Sequence, residues 1–409
     1  MALDLVLAAL AFLSVALLLW QFTAACRFPL HKRVADHSFT PAVTLLKPLK
    51  GCDAEMWHCL ESWIQQDYPA PVQILFGVAS HDDPACEIVR SRMAAHPQCD
   101  AQLIICSESL GPNAKVSTLV QLQPHAKHDV SIVSDADVRV PPDLLLNVVA
   151  PLRDPAVGLV NCFYRLANPT TLPMQWEAIA INSDFWSQVC QARTLRPMDF
   201  ALGAVMATTR KQLGAIGGLE SLVDYLADDY QLGNKIARAG GRIELCPVVV
   251  DCLESPKTWT EIWKHQLRWA RTIRVCQPLP WFFSILSNAT LWPLLWFLFA
   301  SPGPAFEWSK HFDGTFQTGA PTLSSVVVTA QIPWTLVLVL ICLALRIAIA
   351  LCLQRRLTRS FRLWIFCWLA PIKDLLGAAI WLFSFLGNHV QWRGERYRVL
   401  RAGKLTRCR

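Results

Sequence analysis

Val130-Ser131-Ile132-Val133-Ser134-Asp135-Ala136-Asp137-Val138-Arg139-Val140 reads as a buried strand, Val130 to Val133, running into an Asp-x-Asp turn that Pro141-Pro142 follows. Two carboxylates spaced i, i+2 at the mouth of a sheet can share one hard divalent cation, because a tight turn points both inward. Mg²⁺ or Mn²⁺ held in this way keeps open positions for the oxygens of a diphosphate. A solvated turn can also carry two aspartates, so the surrounding chain has to decide.

Outward from that turn, short apolar runs alternate with amphipathic ones. Val43–Leu46, Val72–Ala79, Ala101–Cys106 and Val157–Phe163 are strand-like, as is Val130–Val133. Between them, Ala54–Gln66, Pro84–His96 and Ala114–Pro124 carry apolar residues at helical spacing. This alternation predicts an α/β domain with a largely parallel sheet, whose ligands sit beyond the carboxyl ends of the strands.

Polar residues collect at those strand ends. The first strand ends in Lys47-Pro48-Leu49-Lys50-Gly51-Cys52-Asp53, the second in His81-Asp82-Asp83-Pro84. An Asp before a Pro at the first helical position is an ordinary cap. Two consecutive Asp exceed what a cap needs, and one is free to accept from the N–H of a planar base. Lys115, in Gly111-Pro112-Asn113-Ala114-Lys115, opens a helix where it can meet phosphate as a point charge. Gly203-Ala204-Val205-Met206-Ala207 is a small-residue run suited to close approach by a ligand. Asp228-Asp229 stands at a helix start, where the dipole is expected to keep a carboxylate's pKa low and leave an ionised base. Thr258–Val275, with Trp259, Trp263, His265, Gln266, Arg268, Trp269, Arg271 and Arg274, reads as a basic, Trp-rich interfacial helix.

The apolar residues, 53% of the 409, are concentrated at the two ends. Ala2 to Cys26 contains one charge, Asp4, and lacks the basic start and small-residue cleavage site of a signal peptide, so it reads as an uncleaved anchor. Arg27, Lys32 and Arg33 follow it and place the next domain in the cytoplasm. Trp281–Ala300 and Val326–Leu353 are further spans, with Arg355, Arg356, Arg359 and Arg362 after the second on the inner side. Phe361–Gly387 is broken by Pro371, Lys373 and Asp374. It is expected as two half-helices that enter and return, leaving the basic tail cytoplasmic. The division is therefore an anchor over 1–26, a cytoplasmic domain over 27–280 and a membrane region over 281–409. The net charge of +7 lies beside membrane segments, which points to anionic headgroups and away from nucleic acid. The 15 cysteines show no Cys-x-x-Cys pair and are expected as reduced thiols.

With these motifs assembled, the chain resembles the inverting, nucleotide-sugar-dependent glycosyltransferases of the GT-A fold. Within them it looks most like ceramide glucosyltransferases and the related bacterial enzymes of hopanoid synthesis. Five segments carry the resemblance in order: Leu45-Leu46-Lys47-Pro48-Leu49-Lys50-Gly51, His81-Asp82-Asp83-Pro84-Ala85, Ser134-Asp135-Ala136-Asp137-Val138-Arg139-Val140, Asp228-Asp229-Tyr230 and Arg268-Trp269. The resemblance implies that Asp83, with Asp82 beside it, holds the uridine of a UDP-sugar. It implies that Asp135 meets the sugar diphosphate directly or through metal, that Asp137 completes the metal site, and that Asp229 deprotonates the acceptor hydroxyl. Lys47 and Lys115 join the donor-binding set, while Arg268 and Trp269 belong to a Gln/Arg-x-x-Arg-Trp motif that braces diphosphate and acceptor. Two departures stand out. Animal ceramide enzymes lack the second Asp that this chain has as Asp137, and His265 stands where the motif has Gln or Arg.

The implied activity is transfer from a UDP-sugar to the hydroxyl of a membrane lipid, a single displacement that inverts the donor linkage. UDP-glucose with ceramide and UDP-N-acetylglucosamine with bacteriohopanetetrol are rival substrate pairs. A processive polysaccharide synthase would need more spans than the three or four read here. An inactive scaffold would have lost the acidic motifs, and all are present.

Overall fold

The computed structural model describes residues 2–299, 305–310, 328–360, 364–392 and 395–408. A first helix, α1 (Ala2–Arg27), leads into alternating strands and helices: β1 (Val43–Pro48), α2 (Met56–Ile64), β2 (Val72–Val78), α3 (Ala85–Ala95), β3 (Asp100–Ile105), α4 (Ala114–Leu122) and β4 (Val130–Ser134). These four strands pair in parallel in the order β3-β2-β1-β4, as the sequence pattern predicts. The sheet then continues with β5 (Val138–Arg139), α5 (Leu144–Val149), β6 (Val157–Leu166), helices α6 (Leu172–Ile179) and α7 (Trp186–Arg193), and β7 (Val205–Thr209). After α8 (Arg210–Ala215) and α9 (Asp228–Arg238), β8 (Arg242–Cys252) completes eight strands in the order β3-β2-β1-β4-β7-β6-β8-β5. Strand β7 runs antiparallel to both β4 and β6, so the sheet is mixed. The run Gly203–Ala207 is therefore corrected: Val205, Met206 and Ala207 are interior strand residues, fully paired and buried.

Both faces of the sheet are covered because successive side chains alternate across it. Leu45, Ile74, Ile132 and Val160 enter one core with Leu60 and Trp63 of α2 and Val89 of α3. Their neighbours Leu46, Leu75, Val133 and Leu159 enter the other with Leu119 of α4 and Ile236 of α9. That second core also takes Leu18, Ala24 and Ala25 of α1 and residues of a later apolar helix, so the sheet and these apolar helices share one interior.

Beyond β8 come α10 (Trp259–Cys276), α11 (Pro278–Phe283), α12 (Leu291–Phe299), strands β9 (Ala305–Lys310) and β10 (Val328–Pro333), α13 (Trp334–Thr358), α14 (Ala370–Ser384), and the strands β11 (His389–Trp392), β12 (Glu395–Val399) and β13 (Leu405–Arg407). Helix α10 opens on a capping box in which Thr258 and Glu261 exchange hydrogen bonds, and it falls where the sequence places the basic, Trp-rich helix. Helices α1 and α13, with 26 and 25 residues, are long and apolar enough to cross a bilayer of about 30 Å. The span expected at Trp281–Ala300 is bent: the segments Pro278–Ser287 and Leu291–Phe299 meet at 57° and are together apolar enough for one broken span. Two membrane expectations need correction. The span expected at Val326–Leu353 begins at Trp334 and runs on to Thr358, because Pro333 ends a strand and the apolar pattern continues. Within Phe361–Gly387, one 15-residue helix, α14, follows a short 3₁₀ segment, Trp364–Leu369, in place of a matched pair of half-helices. Residues 361–363 lie outside the described residues.

The carboxyl ends of α1 and α13 meet. Arg356 donates to the carbonyls of Ala25, Cys26 and Phe28, at 3.2, 2.6 and 2.8 Å, so the basic flanks of both spans lie at one level. The tail returns to the sheet domain: Leu405 N–H donates to Asp224 (2.7 Å) and Leu226 N–H to Gly403 (3.2 Å). The 14 cysteines whose side chains are described are free thiols.

Helices α6 and α7 are joined through a π-helical segment, Ala180–Phe185, making a rod that no sequence signal marked. Asn182 fastens the rod to the end of β6 by exchanging hydrogen bonds with both backbone groups of Leu166. Asp184 on the same segment enters a buried charge cluster. Arg346 of α13 bridges Asp184 (2.8 Å) and Asp374 of α14 (2.8 Å), Lys373 pairs with both carboxylates, and Thr290 donates to Asp374 (2.6 Å). Two cations balance two anions there. Arg346→Met would leave two buried carboxylates with one ammonium, and breaking such a pair typically costs about 3–5 kcal/mol. A clearly lowered melting midpoint in detergent is expected; an unchanged midpoint would show that the cluster is not what ties α13 to the rod.

Candidate active site

Strands β1 and β4 are adjacent, and at their carboxyl ends the Asp-x-Asp turn is held from beneath and from the side. Lys47, at 0% exposure, donates to the carbonyl of Asp135 and to Ser134 Oγ and lies 5.2 Å from the Trp63 ring centre. Burial pushes its ammonium down to about 8. Lys47 thus supports the turn from within the core.

Lys115 reaches the turn from the first turn of α4. Asn113 caps that helix, accepting from Val116 N–H and donating through Nδ2 to the carbonyl of Tyr225. Lys115 Nζ lies 2.7 Å from Asp135 Oδ1 and 3.0 Å from Asp228 Oδ2, joining the turn to the start of α9. Burial works against its charge, but Asp135 and Asp228 outweigh burial and hold it above the ordinary lysine range.

Asp229, next along α9, accepts from Tyr230 N–H at 2.7 Å. A Cβ at residue 203 would stand 2.9 Å from Asp229 Oδ2, so the close approach that Gly203 permits is to this carboxylate. The expectation of a low pKa at this helix start is overturned. Burial, then the charge of Asp228, push Asp229 up to about 6, and Lys115 offsets only part of that. Asp137 is pushed to about 7, first by burial, then by Asp135 and Glu254.

Asp83 accepts from the backbone N–H of Gly51 (2.9 and 3.2 Å) and of Ala85 (3.0 Å), tying together the loops after β1 and β2. Asp82 beside it is exposed. On α10, the half-buried Arg268 and Trp269 share a helix with His265, whose ring lies 4.7 Å from the Trp269 ring centre. Sequence reasoning missed two residues here. Glu177 of α6 is fully buried and accepts from His265 Nδ1 (2.7 Å) and Gln266 Nε2 (2.8 Å). Tyr164 of β6 packs on Phe185 of the π-helical segment with ring centres 5.5 Å apart, and burial, then the charge of Cys252, raise its hydroxyl pKa. A lone Glu in an apolar helical run, Leu172–Ile179, was the signal available for the first.

Asp135 and Asp137 offer hard oxygen donors suited to Mg²⁺ or Mn²⁺, and a bound cation would favour the ionised form of Asp137, which burial and then Asp135 and Glu254 disfavour. Among the described residues no group of three or more His, Cys, Asp or Glu forms a metal cage. The pair fits an open site that a substrate's phosphate oxygens complete.

The model for glycosyl transferase family 21 matches residues 5–312 and 310–405. Ceramide glucosyltransferase 3 of Caenorhabditis elegans is 26% identical over 221 residues, covering 52% of this chain and 46% of that protein. The ceramide glucosyltransferase of Candida albicans is 38% identical over 129 residues, 29% of this chain and 24% of its own length. The aligned part thus spans less than half of these curated relatives. Among solved structures, mannosyltransferase PcManGT from Pyrobaculum calidifontis, in complex with GDP-Man and Mn²⁺, superposes with a TM-score of 0.51. It is 20% identical, covering 94% of this chain and 99% of its own, and it shares the fold.

With no metal bound, the Asp137 carboxyl sits near 7 when folded against about 3.9 when unfolded. It contributes stability present below about pH 4 and lost as pH rises through the folded value. Melting midpoints in chelator should therefore fall between about pH 4 and pH 7, and Asp137→Asn should flatten that fall. An unaltered slope in the variant would remove Asp137 as its source.

Proposed function

The chain belongs to glycosyl transferase family 21, and from that premise we propose that it transfers a sugar from a UDP-sugar to the hydroxyl of a membrane lipid, with inversion. UDP-glucose and ceramide are the proposed substrates. The observation that carries this reading is the cluster of Lys115, Asp135, Asp228 and Asp229, whose α9 shares one core with the apolar helices α1 and α13. The name of the curated relatives supports ceramide as acceptor.

In this reading the uridine lies at the mouth of β2, with exposed Asp82 to accept from the base and Asp83 to brace the loop around it. Asp135, aimed by Lys115 and Lys47, and Asp137 would hold a divalent cation that neutralises the departing diphosphate. Lys115 keeps Asp135 and Asp228 at a fixed separation while the charge on the donor changes, which preorganises the site. Asp229, at about 6, is ionised at neutral pH yet more basic than an ordinary aspartate, the balance that suits a base for an alcohol. Its Oδ1 is occupied by Tyr230 N–H, leaving Oδ2, beside Gly203, for the acceptor proton. Attack from the face opposite the diphosphate then gives a β-glycoside from an α-linked donor. Extracting the lipid would cost about 0.8 kcal/mol per CH₂, so the site must work at the bilayer surface. The basic flanks gathered where α1 and α13 meet support an inward-facing domain.

Asp137 favours a second acceptor, since animal ceramide enzymes lack that residue: UDP-N-acetylglucosamine with bacteriohopanetetrol. Membranes offered both donors and both lipids, with mass-spectrometric detection, decide between them. A hexosylceramide supports the first reading and an N-acetylhexosaminyl hopanoid the second; neither product, with or without Mg²⁺ or Mn²⁺, defeats both. Asp229→Asn should reduce transfer at least about 10²-fold while UDP-sugar binding, followed by calorimetry, persists. Full turnover in that variant would take the base role from Asp229. Chelation should abolish transfer reversibly, and transfer that survives chelation would exclude the metal.

A further inference from the structure

The tail beyond α14 has no part in the reading above, yet it touches the segment that carries Asp229. Its strands form a small antiparallel sheet in which His389 faces Arg398 and Val399 faces Leu405. Side chains alternate across it, and Val390, Tyr397, Val399 and Leu405 pack on Leu226, three residues before Asp229, and on Val275 of α10. The turn Leu400–Lys404 closes this contact. Gln231 Nε2 of α9 donates to the carbonyl of Ala402 at 2.8 Å, and the Lys404 ammonium lies 5.8 Å from the Tyr225 ring centre. Ala402 has a left-handed backbone, φ 62°, which a non-glycine residue keeps only where its surroundings hold it. The outer face is basic: Arg396, Arg398 and, in the turn, Arg401 are exposed. Glu395 of the same sheet pairs with Arg407, and among the described residues no acid pairs with Arg396, Arg398 or Arg401. Register decides where this charge stands. Val399 N–H donates to the carbonyl of Asn388 (2.8 Å), so Arg398 and Arg401 lie at the end of the sheet that α14 enters, and Arg396 lies further off. That entrance is an exposed apolar corner made by Phe383, Phe385 and Leu386 with Phe282 and Phe283 of α11. Arg274 of α10 stands over the Phe385 ring and donates to the carbonyl of Gly387 (3.3 Å), fixing the corner to the strands. From Leu386 to His389 the chain spans at most about 10 Å, roughly one Debye length.

Resting on the lipid-transfer reading, we propose that the turn Leu400–Lys404, with Arg398 beside it, reads acidic phospholipid headgroups and thereby sets the start of α9. The apolar corner enters the interface, and headgroup phosphates engage Arg398 and Arg401, as basic residues flanking exposed aromatic side chains do. The occupant is an anionic bilayer surface, because unpaired arginines select it over zwitterionic heads whose own ammonium offsets the phosphate. Headgroups bind the sheet better when it is docked at the membrane, and they can shift its position only by that difference. Docked, the turn holds Asp224, Leu226 and Gln231 through its backbone, so the order of the tail becomes the order of the segment bearing Asp229.

The test compares the full chain, one copy per nanodisc, in phosphatidylcholine alone and with about 30% phosphatidylglycerol. Amide exchange over 222–230 should slow about 10-fold when the acidic lipid is present. Half of that gain should need about 5-fold more phosphatidylglycerol in Arg398→Gln and in Arg401→Gln. Arg396→Gln removes the same charge from the far end and should change the requirement less. Salt at about 0.5 M should cancel the gain. Exchange in the parent that ignores phosphatidylglycerol overturns the proposal, and so does an equal effect from Arg396→Gln, which would mean diffuse charge. Protection by soluble glycerol phosphate in phosphatidylcholine discs would make this a site for free anions and overturn the lipid surface. In transfer assays phosphatidylglycerol should raise kcat in the parent by about the same factor as it slows exchange, with KM for the UDP-sugar unchanged. The Arg398→Gln, Arg401→Gln double variant should keep the rate seen in phosphatidylcholine and lose the stimulation; stimulation that survives in it removes the turn from regulation. A parent that makes no glycolipid in either disc would defeat the transfer reading, while the exchange measurement would still decide whether the tail reads headgroups.

Discussion

Lys115 is the point on which the site depends. It closes two ion pairs at once, and those pairs join segments about ninety residues apart: the Asp135 turn after β4 and Asp228 at the start of α9. Without that ammonium, two carboxylates would confront one another in a partly dry pocket, where like charges are strongly unfavourable. Its location follows from local chemistry. Asn113 caps α4 and donates to the carbonyl of Tyr225, so one side chain starts the lysine's helix and anchors the loop leading to Asp228 and Asp229. The tail strands hold the same loop from its other side through Asp224 and Leu226. The start of α9 is thus restrained by α4, by the Asp135 turn and by the tail strands.

The second organising device is the rod Leu172–Arg193. At one end Glu177 grips His265 and Gln266 of α10; in the middle Asn182 fastens β6; then Asp184 enters the charge cluster of α13 and α14. One continuous helix thus touches the interfacial helix, the sheet and the membrane helices. The π-helical turn at Ala180–Phe185 lets it do so, because an extra residue per turn rotates Asp184 relative to Glu177. This rod explains how a sheet domain and apolar helices hold a common orientation without a large polar interface.

The parts of this architecture legible in the sequence were those with a local signature. The parallel strands β1 to β4 alternate with helices in a pattern that periodicity exposes, and α1, α10 and α13 announce themselves by hydropathy or by caps. The acidic residues stood at strand ends, where such folds bind ligands, and Lys115 sat at a helix start. What could not be read depends on contacts between distant segments. Gly203 looked like room for a ligand, whereas it makes room for Asp229. The dipole at the start of α9 suggested a depressed pKa, but burial and Asp228 dominate it, and neither is visible before the chain folds. Glu177 and Asp184 are single acids in an apolar run, and only their partners give them meaning. Antiparallel β7 was hidden because its residues are small and buried on both faces.

The two charge clusters show opposite solutions to one problem. Around Arg346, in the membrane region, cations and anions balance within the protein itself, with Thr290 adding a hydrogen bond. The charges are matched two against two, which suits a device that holds helices together where water cannot help. At the sheet mouth acids crowd together: Lys115 pairs with Asp135 and Asp228, Lys257 pairs with Glu254, and Lys47 is itself discharged more easily than an ordinary lysine. Burial first, and then neighbouring carboxylates, raise the pKa values of Asp137 and Asp229. A cation bound at Asp135 and Asp137 would relieve the strain on Asp137 while leaving Asp229 its raised basicity, since Asp228 and burial are the larger causes there. In the proposed function the same buried acids would serve twice, Asp135 and Asp137 toward a cation-bound diphosphate and Asp229 toward the acceptor proton.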